Sequence, residues 1–216
     1  MTIESSKNLG GIGAVLLFIG AIPLVQYLWI VAVVGAALVL VALHGFASFY
    51  REQGIINNAL YGVIAGIVGV VAAVAVAFTV ILANIVDLMY ELFPGWSGDW
   101  SSIQGMTPDV SNLDPAALLP LLVGLLAVVA IVWIFGILAA FFVRRSLKQV
   151  SEKTNVGLFG TAGLLLLIGA ALIIVFGLGF ILMWIAALIL AVAFFTMKIA
   201  EPAPASASYP PPPTPV

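Results

Sequence analysis

The sequence predicts an all-α polytopic membrane protein, a bundle of six transmembrane helices with both termini cytoplasmic. Three observations predict it. The chain is 64% hydrophobic and only 7% charged, whereas soluble domains average about a quarter charged residues. Four long stretches, residues 8–50, 53–86, 115–143 and 154–197, contain no Asp, Glu, Lys or Arg. The whole basic set, Lys7, Arg51, Arg144, Arg145, Lys148, Lys153 and Lys198, falls between or beyond those stretches, where it fits on one side of a bilayer.

A helix rises 1.5 Å per residue and needs about 20 apolar residues to cross about 30 Å of hydrocarbon. Stretches 53–86 and 115–143 suit one crossing each. Stretches 8–50 and 154–197 are long enough for two short helices and a turn. Each has a break near its middle: Pro23 with Gln26 and Tyr27, and Gly177 with Gly179. The expected spans are 9–25, 27–49, 58–90, 115–143, 157–175 and 179–199, after a cytoplasmic segment 1–8. Six spans from an inside N-terminus place all 7 bases inside, as the positive-inside bias requires. A four-span arrangement strands Lys7 and Lys198 on the opposite face. Lys7 before an apolar run also resembles the start of a signal peptide, but no small-x-small cleavage site followed by a polar start is evident, so the segment is read as a span.

The third span runs on into an amphipathic end, with Asp87 and Glu91 opposite Ile85, Leu88, Met89 and Leu92. An external loop, 91–114, follows. It is acidic, and Phe93, Trp96 and Trp100 are its expected interfacial anchor or partner-binding element. The fourth span starts at Asn112-Leu113-Asp114-Pro115, where Asp114 can cap free amides and Pro115 takes the first helical position. A short basic loop, Arg144 to Lys153, then leads to the last pair of helices. That pair echoes the first. At an offset of 149 residues Gly11, Leu16, Ile19, Gly20 and Phe46 meet Gly160, Leu165, Ile168, Gly169 and Phe195. A parallel hairpin repeat and shared bilayer composition both account for this. Residues 200–216 form a Pro-rich cytoplasmic tail, expected to be disordered and extended, with polyproline II from Pro210 to Pro213. A solubilising extension and a docking ligand are its two readings.

Small residues carry the packing signal. Gly62, Gly66, Gly69, Ala73 and Ala77 recur at three- or four-residue spacing along the third span, a pattern that lets another helix approach closely. Packing within the bundle is preferred to self-association of two chains.

The run from Leu9 to Leu16 (LGGIGAVL) and the segment from Phe49 to Gly62 (FYREQGIINNALYG) resemble an archaeal multispanning family catalogued as domain of unknown function 996. The resemblance extends over most of the span region and excludes the tail. It implies an archaeal plasma-membrane protein and carries no assigned chemistry.

Catalytic signals are poor. With 0 cysteines, thiolate nucleophiles, disulfides and thiolate metal sites are excluded. No span has a charge near its centre, as proton relays and ion sites require. His44 lies one turn from Ser48, yet no orienting acid or oxyanion loop accompanies them. The acids of the external loop lack the alternation around a glycine that calcium demands. No cofactor and no metal are expected, and no basic stripe supports nucleic-acid binding. The polar residues Gln26, Thr79, Asn84 and Thr161 are read as interhelical hydrogen-bonding groups. The expected partners are membrane lipids, and either other proteins or a second copy. A non-enzymatic accessory or scaffold subunit is the leading expectation, and a passive channel or carrier for a small neutral or apolar solute the alternative.

Overall fold

The computed structural model describes residues 2–22, 28–111, 114–175 and 177–198. They form α1 (Ile3–Gly20), α2 (Leu28–Tyr50), α3 (Gln53–Leu92), α4 (Pro115–Thr154), α5 (Gly157–Leu172) and α6 (Leu178–Thr196), with one 3₁₀ turn at Trp100–Ile103 and no strand among the described residues. The expected break at Pro23, Gln26 and Tyr27, the residues Asn112 and Leu113, and the Pro-rich tail lie outside the described residues. Four helical segments, Trp29–Tyr50, Gln53–Leu92, Leu118–Thr154 and Leu178–Thr196, are long and apolar enough to cross a membrane. α5 is apolar but shorter.

The helix ends follow local chemistry. Helix α1 begins before the expected span because the Thr2 hydroxyl accepts from the Ser5 amide, drawing Glu4 and Lys7 into the helix. Between α2 and α3, Arg51 adopts a left-handed conformation, φ 50°, so that only Arg51 and Glu52 separate the two helices. Asp114 caps α4 as expected, accepting from the Ala116 amide at 2.9 Å with Pro115 in the first turn. Gly177, at φ 71°, makes the turn into α6.

The basic segment corrects the sequence reading. Arg144 to Lys153 is not a loop: α4 continues through it to Thr154 and stops at left-handed Asn155, φ 54°. Val143, Leu147 and Val150 keep helical spacing through the charges, and Leu147 and Val150 are buried. The buried Ser146 hydroxyl donates to the Ile55 carbonyl at 2.7 Å, fastening this end of α4 to the start of α3.

Each helix packs against its chain neighbours, and α6 returns to α1, closing a ring in the order α1 to α6. Close backbone approaches seal the two short hairpins. Gly13 faces Gly35 between α1 and α2, and Gly169 faces Gly179 between α5 and α6. At the ring closure, the Trp184 indole donates to the Phe18 carbonyl at 2.9 Å and stacks on the Phe18 ring.

The lengths are unequal. α3 and α4 have 40 residues each against 16 to 23 for the others, or ~60 Å against ~24–35 Å at 1.5 Å per residue. Their antiparallel register is continuous, with Gly62 against Ala139 and Val143, Gly69 against Phe135, and Gly124 against Val80. The tightly packed core sits at the basic end, where Phe46, Phe159, Phe194, Ile55, Leu147 and Met197 are buried. Towards the acidic end, Val70, Val74, Phe78, Leu82, Leu122 and Leu126 are all exposed. Water forces apolar groups inward, whereas hydrocarbon does not, so dense burial at the charged end is the pattern of a bundle solvated by lipid elsewhere.

Candidate functional site

The small-residue stripe lies on the seam between α3 and α4. Gly62 and Gly69 are buried directly against α4: an added Cβ would sit 3.0 Å from the Ala139 carbonyl oxygen at Gly62 and would overlap Phe135 at Gly69. Ala65 and Ala73 are buried on the same stripe, and Ala77 is half-buried. Gly66 is turned off it, with nothing within 4 Å of an added Cβ.

At the far end of this hairpin, residues 93–111 fold over the tip. Trp96 is buried, donates its indole N–H to the Asp99 carbonyl at 2.7 Å and meets the Trp100 ring edge-on, while Trp100 is exposed and Phe93 half-buried. The Tyr90 ring completes the stack at 5.1 Å from Trp96. The acids serve as local caps. Asp99 accepts from the Ser101 hydroxyl and amide, which hold its carboxyl below the ordinary value near 3.8. Asp109 accepts from the Ser111 amide and hydroxyl. Among the described residues no three His, Cys, Asp or Glu side chains are grouped to hold a metal ion.

The isolated polar residues correct a second expectation. Thr79 donates to the Ala75 carbonyl, Asn84 to Val80 and Thr161 to Gly157, each one turn back on its own helix. Gln26 lies outside the described residues. Ser48 likewise donates to the His44 carbonyl at 3.0 Å, so its hydroxyl is engaged with backbone rather than with the imidazole. The hydrogen bonds that do cross between helices come from Ser146, from Asn58, whose side-chain amide donates to the Gln149 Oε1 at 3.5 Å, from Trp184, and from Trp133, whose indole donates to the Ala171 carbonyl at 3.1 Å. Their sequence signal was weak, because tryptophan in an apolar run reads first as an interfacial residue.

Several apolar cavities accompany this packing. One, of about 160 Å³, is central and lined from all six helices, by Leu17, Leu40, Val63, Leu147, Leu166 and Leu190 among others. One turn beyond Leu43 and Leu190, Phe46 and Phe194 stack at 5.9 Å and Phe159 meets Phe194 edge-on at 5.0 Å, closing its basic end. A second cavity, of about 310 Å³, lies between α4 and the α5–α6 hairpin. At the basic end Lys153 pairs with Glu52 at 3.1 Å, Lys148 with Glu152 at 3.8 Å, and Arg145 lies over the Phe141 ring.

The model of the family described as protein of unknown function, DUF996, matches residues 31–188. The chain belongs to the DUF996 family. The DUF996 match contains α3, α4 and α5 whole, together with the Phe49 to Gly62 segment, and begins after the Leu9 to Leu16 run. An uncharacterized protein of Methanocaldococcus jannaschii is 29% identical over 200 residues, covering 91% of this chain and 94% of that protein. No solved structure matches the chain.

Proposed function

We propose that this DUF996 protein is a non-catalytic membrane subunit that acts as an accessory or scaffold, with the α3–α4 hairpin as the element that engages a protein partner. The length of that hairpin carries the reading. Residues 53–86 of α3 are uncharged and would extend about 50 Å, against about 30 Å of bilayer hydrocarbon. Tilt absorbs part of the excess. A partner's apolar surface covers the remainder, since a large apolar area left in water marks an interaction site.

In the proposed orientation the chain crosses the plasma membrane six times, with N-terminus, basic end and Pro-rich tail in the cytoplasm and the acidic loop outside. The distribution of bases supports it. The short helices α1 and α5 then cross where the bilayer is locally thinned. Because the chain has 0 cysteines, single introduced ones report topology. Ser102→Cys is expected to react with an impermeant maleimide on intact cells and Ser5→Cys only after permeabilisation. Val175→Cys reacting only from the cytoplasmic side would remove the sixfold crossing.

To test the function itself, a photoreactive residue is placed at Phe78 or Leu122 in native membranes. The expected result is a crosslink to one protein species that also co-elutes stoichiometrically in mild detergent. A chain that elutes alone, with the probes marking only lipid, overturns the proposal. The central cavity favours a second reading, passive passage of a small apolar solute, though Phe46, Phe159 and Phe194 close one end. Solute flux into liposomes holding the purified protein, without any partner, is the outcome that selects it.

A further inference from the structure

We propose that the flank between α4 and α5 binds one anionic membrane lipid, with its phosphate on Arg144 and one apolar chain in the groove leading from there to Trp133. The groove is the cavity of about 310 Å³, lined by Trp133, Gly136, Ala140, Leu166, Ala170 and Met183 among others. Ligand sites begin at about that size. Small residues make the room: an added Cβ at Gly136 meets nothing within 4 Å. The lining carries no charge, and its one indole N–H is occupied by the Ala171 carbonyl. Such a groove selects an apolar chain.

Arg144 supplies the complementary charge. It stands one turn beyond Ala140 on the same face of α4. The groove face of α5, from Ile173 through Ala170 and Leu166, continues to Gly163, where an added Cβ would lie 3.1 Å from the Arg144 Cα. Helical side chains lean towards their helix N-terminus, which directs Arg144 back over the mouth of the groove. Of the neighbouring cations, Lys148 and Lys153 are paired with Glu152 and Glu52, and Arg145 rests on Phe141. Arg144 is half-buried and has no hydrogen-bond or ion-pair partner among the described residues. Its guanidinium suits a phosphate, which it can hold by two parallel bonds.

Length fixes the class of ligand. From Arg144 to Trp133 the groove is about 16 Å long, close to half of the roughly 30 Å hydrocarbon thickness. That is the depth filled by the chains of one leaflet. A free phosphate would use the arginine and leave the groove empty; an uncharged lipid would do the reverse.

The experiment is native mass spectrometry of the full chain in mild detergent, titrated with phosphatidylglycerol, phosphatidylcholine or inorganic phosphate. One phosphatidylglycerol is expected to bind per chain, about tenfold or more tighter than phosphatidylcholine. Arg144→Gln is expected to erase that preference and Arg145→Gln to keep it. Gly136→Leu, whose Cβ would meet nothing within 4 Å and whose side chain would occupy the groove, is expected to lower phosphatidylglycerol binding about tenfold while the protein elutes as before. Unchanged binding in Arg144→Gln or in Gly136→Leu overturns the proposal, as does displacement of the lipid by equimolar inorganic phosphate.

Discussion

Leucine at Gly179 will destabilise the folded chain by about 3 kcal/mol, at the upper end of the usual cost of overpacking. An added Cβ there would overlap the Gly169 carbonyl oxygen and lie 2.6 Å from the Ile173 backbone nitrogen. Both are main-chain atoms, so no rotamer change relieves the clash and α5 must part from α6. Gly66→Leu serves as the control, because an added Cβ at Gly66 meets nothing within 4 Å. The measurement is the thermal unfolding midpoint in detergent, with elution profile as a second readout. Gly179→Leu is expected to unfold early or elute as aggregate, and Gly66→Leu to stay within about 0.5 kcal/mol of the parent. Equal behaviour of the two would show that the hairpin is not closed on that glycine pair.

Phe194→Ala will cost about 3–5 kcal/mol, the range for deleting a buried aromatic ring. Phe194 is fully buried, stacks on Phe46, meets Phe159 edge-on and fills the space over Gly10. Four helices, α1, α2, α5 and α6, therefore lose a shared contact at once. Phe78 offers the same side chain in the opposite setting, 63% exposed on α3. Phe78→Ala is expected to leave the unfolding midpoint nearly unchanged, because its ring is already largely exposed in the folded chain. A midpoint for Phe194→Ala as high as that for Phe78→Ala would mean that the basic end is not the core of the bundle.

Helix number and order were legible in the sequence because charge-free stretches and turn residues are local signals. Asp114 with Pro115, and Gly177, mark helix ends through atoms within a few residues of themselves. The extent of α4 was not legible in the same way. A cluster such as Arg144 to Lys153 ends an apolar run, which bounds a crossing, yet arginine and lysine are good helix formers and Leu147 and Val150 still find a core. The destinations of Thr79, Asn84 and Thr161 were also missed. In a helix the carbonyl four residues back is always within reach, so a lone hydroxyl or amide needs no neighbour. Of the small-residue stripe, Gly62, Gly69 and Ala73 lie on the buried seam and Gly66 does not. Spacing of three and four admits several stripes on one helix, and only the partner's position selects among them.

The unequal helix lengths have a consequence for whatever surrounds the bundle. A lipid travelling round the perimeter would meet a wall that is low along α5, α6, α1 and α2 and about twice as high along α3 and α4. Boundary lipids must therefore change their tilt twice per circuit, where α2 meets α3 and where α4 meets α5. In a bilayer, one molecule of this shape would impose a gradient of thickness on its own annulus.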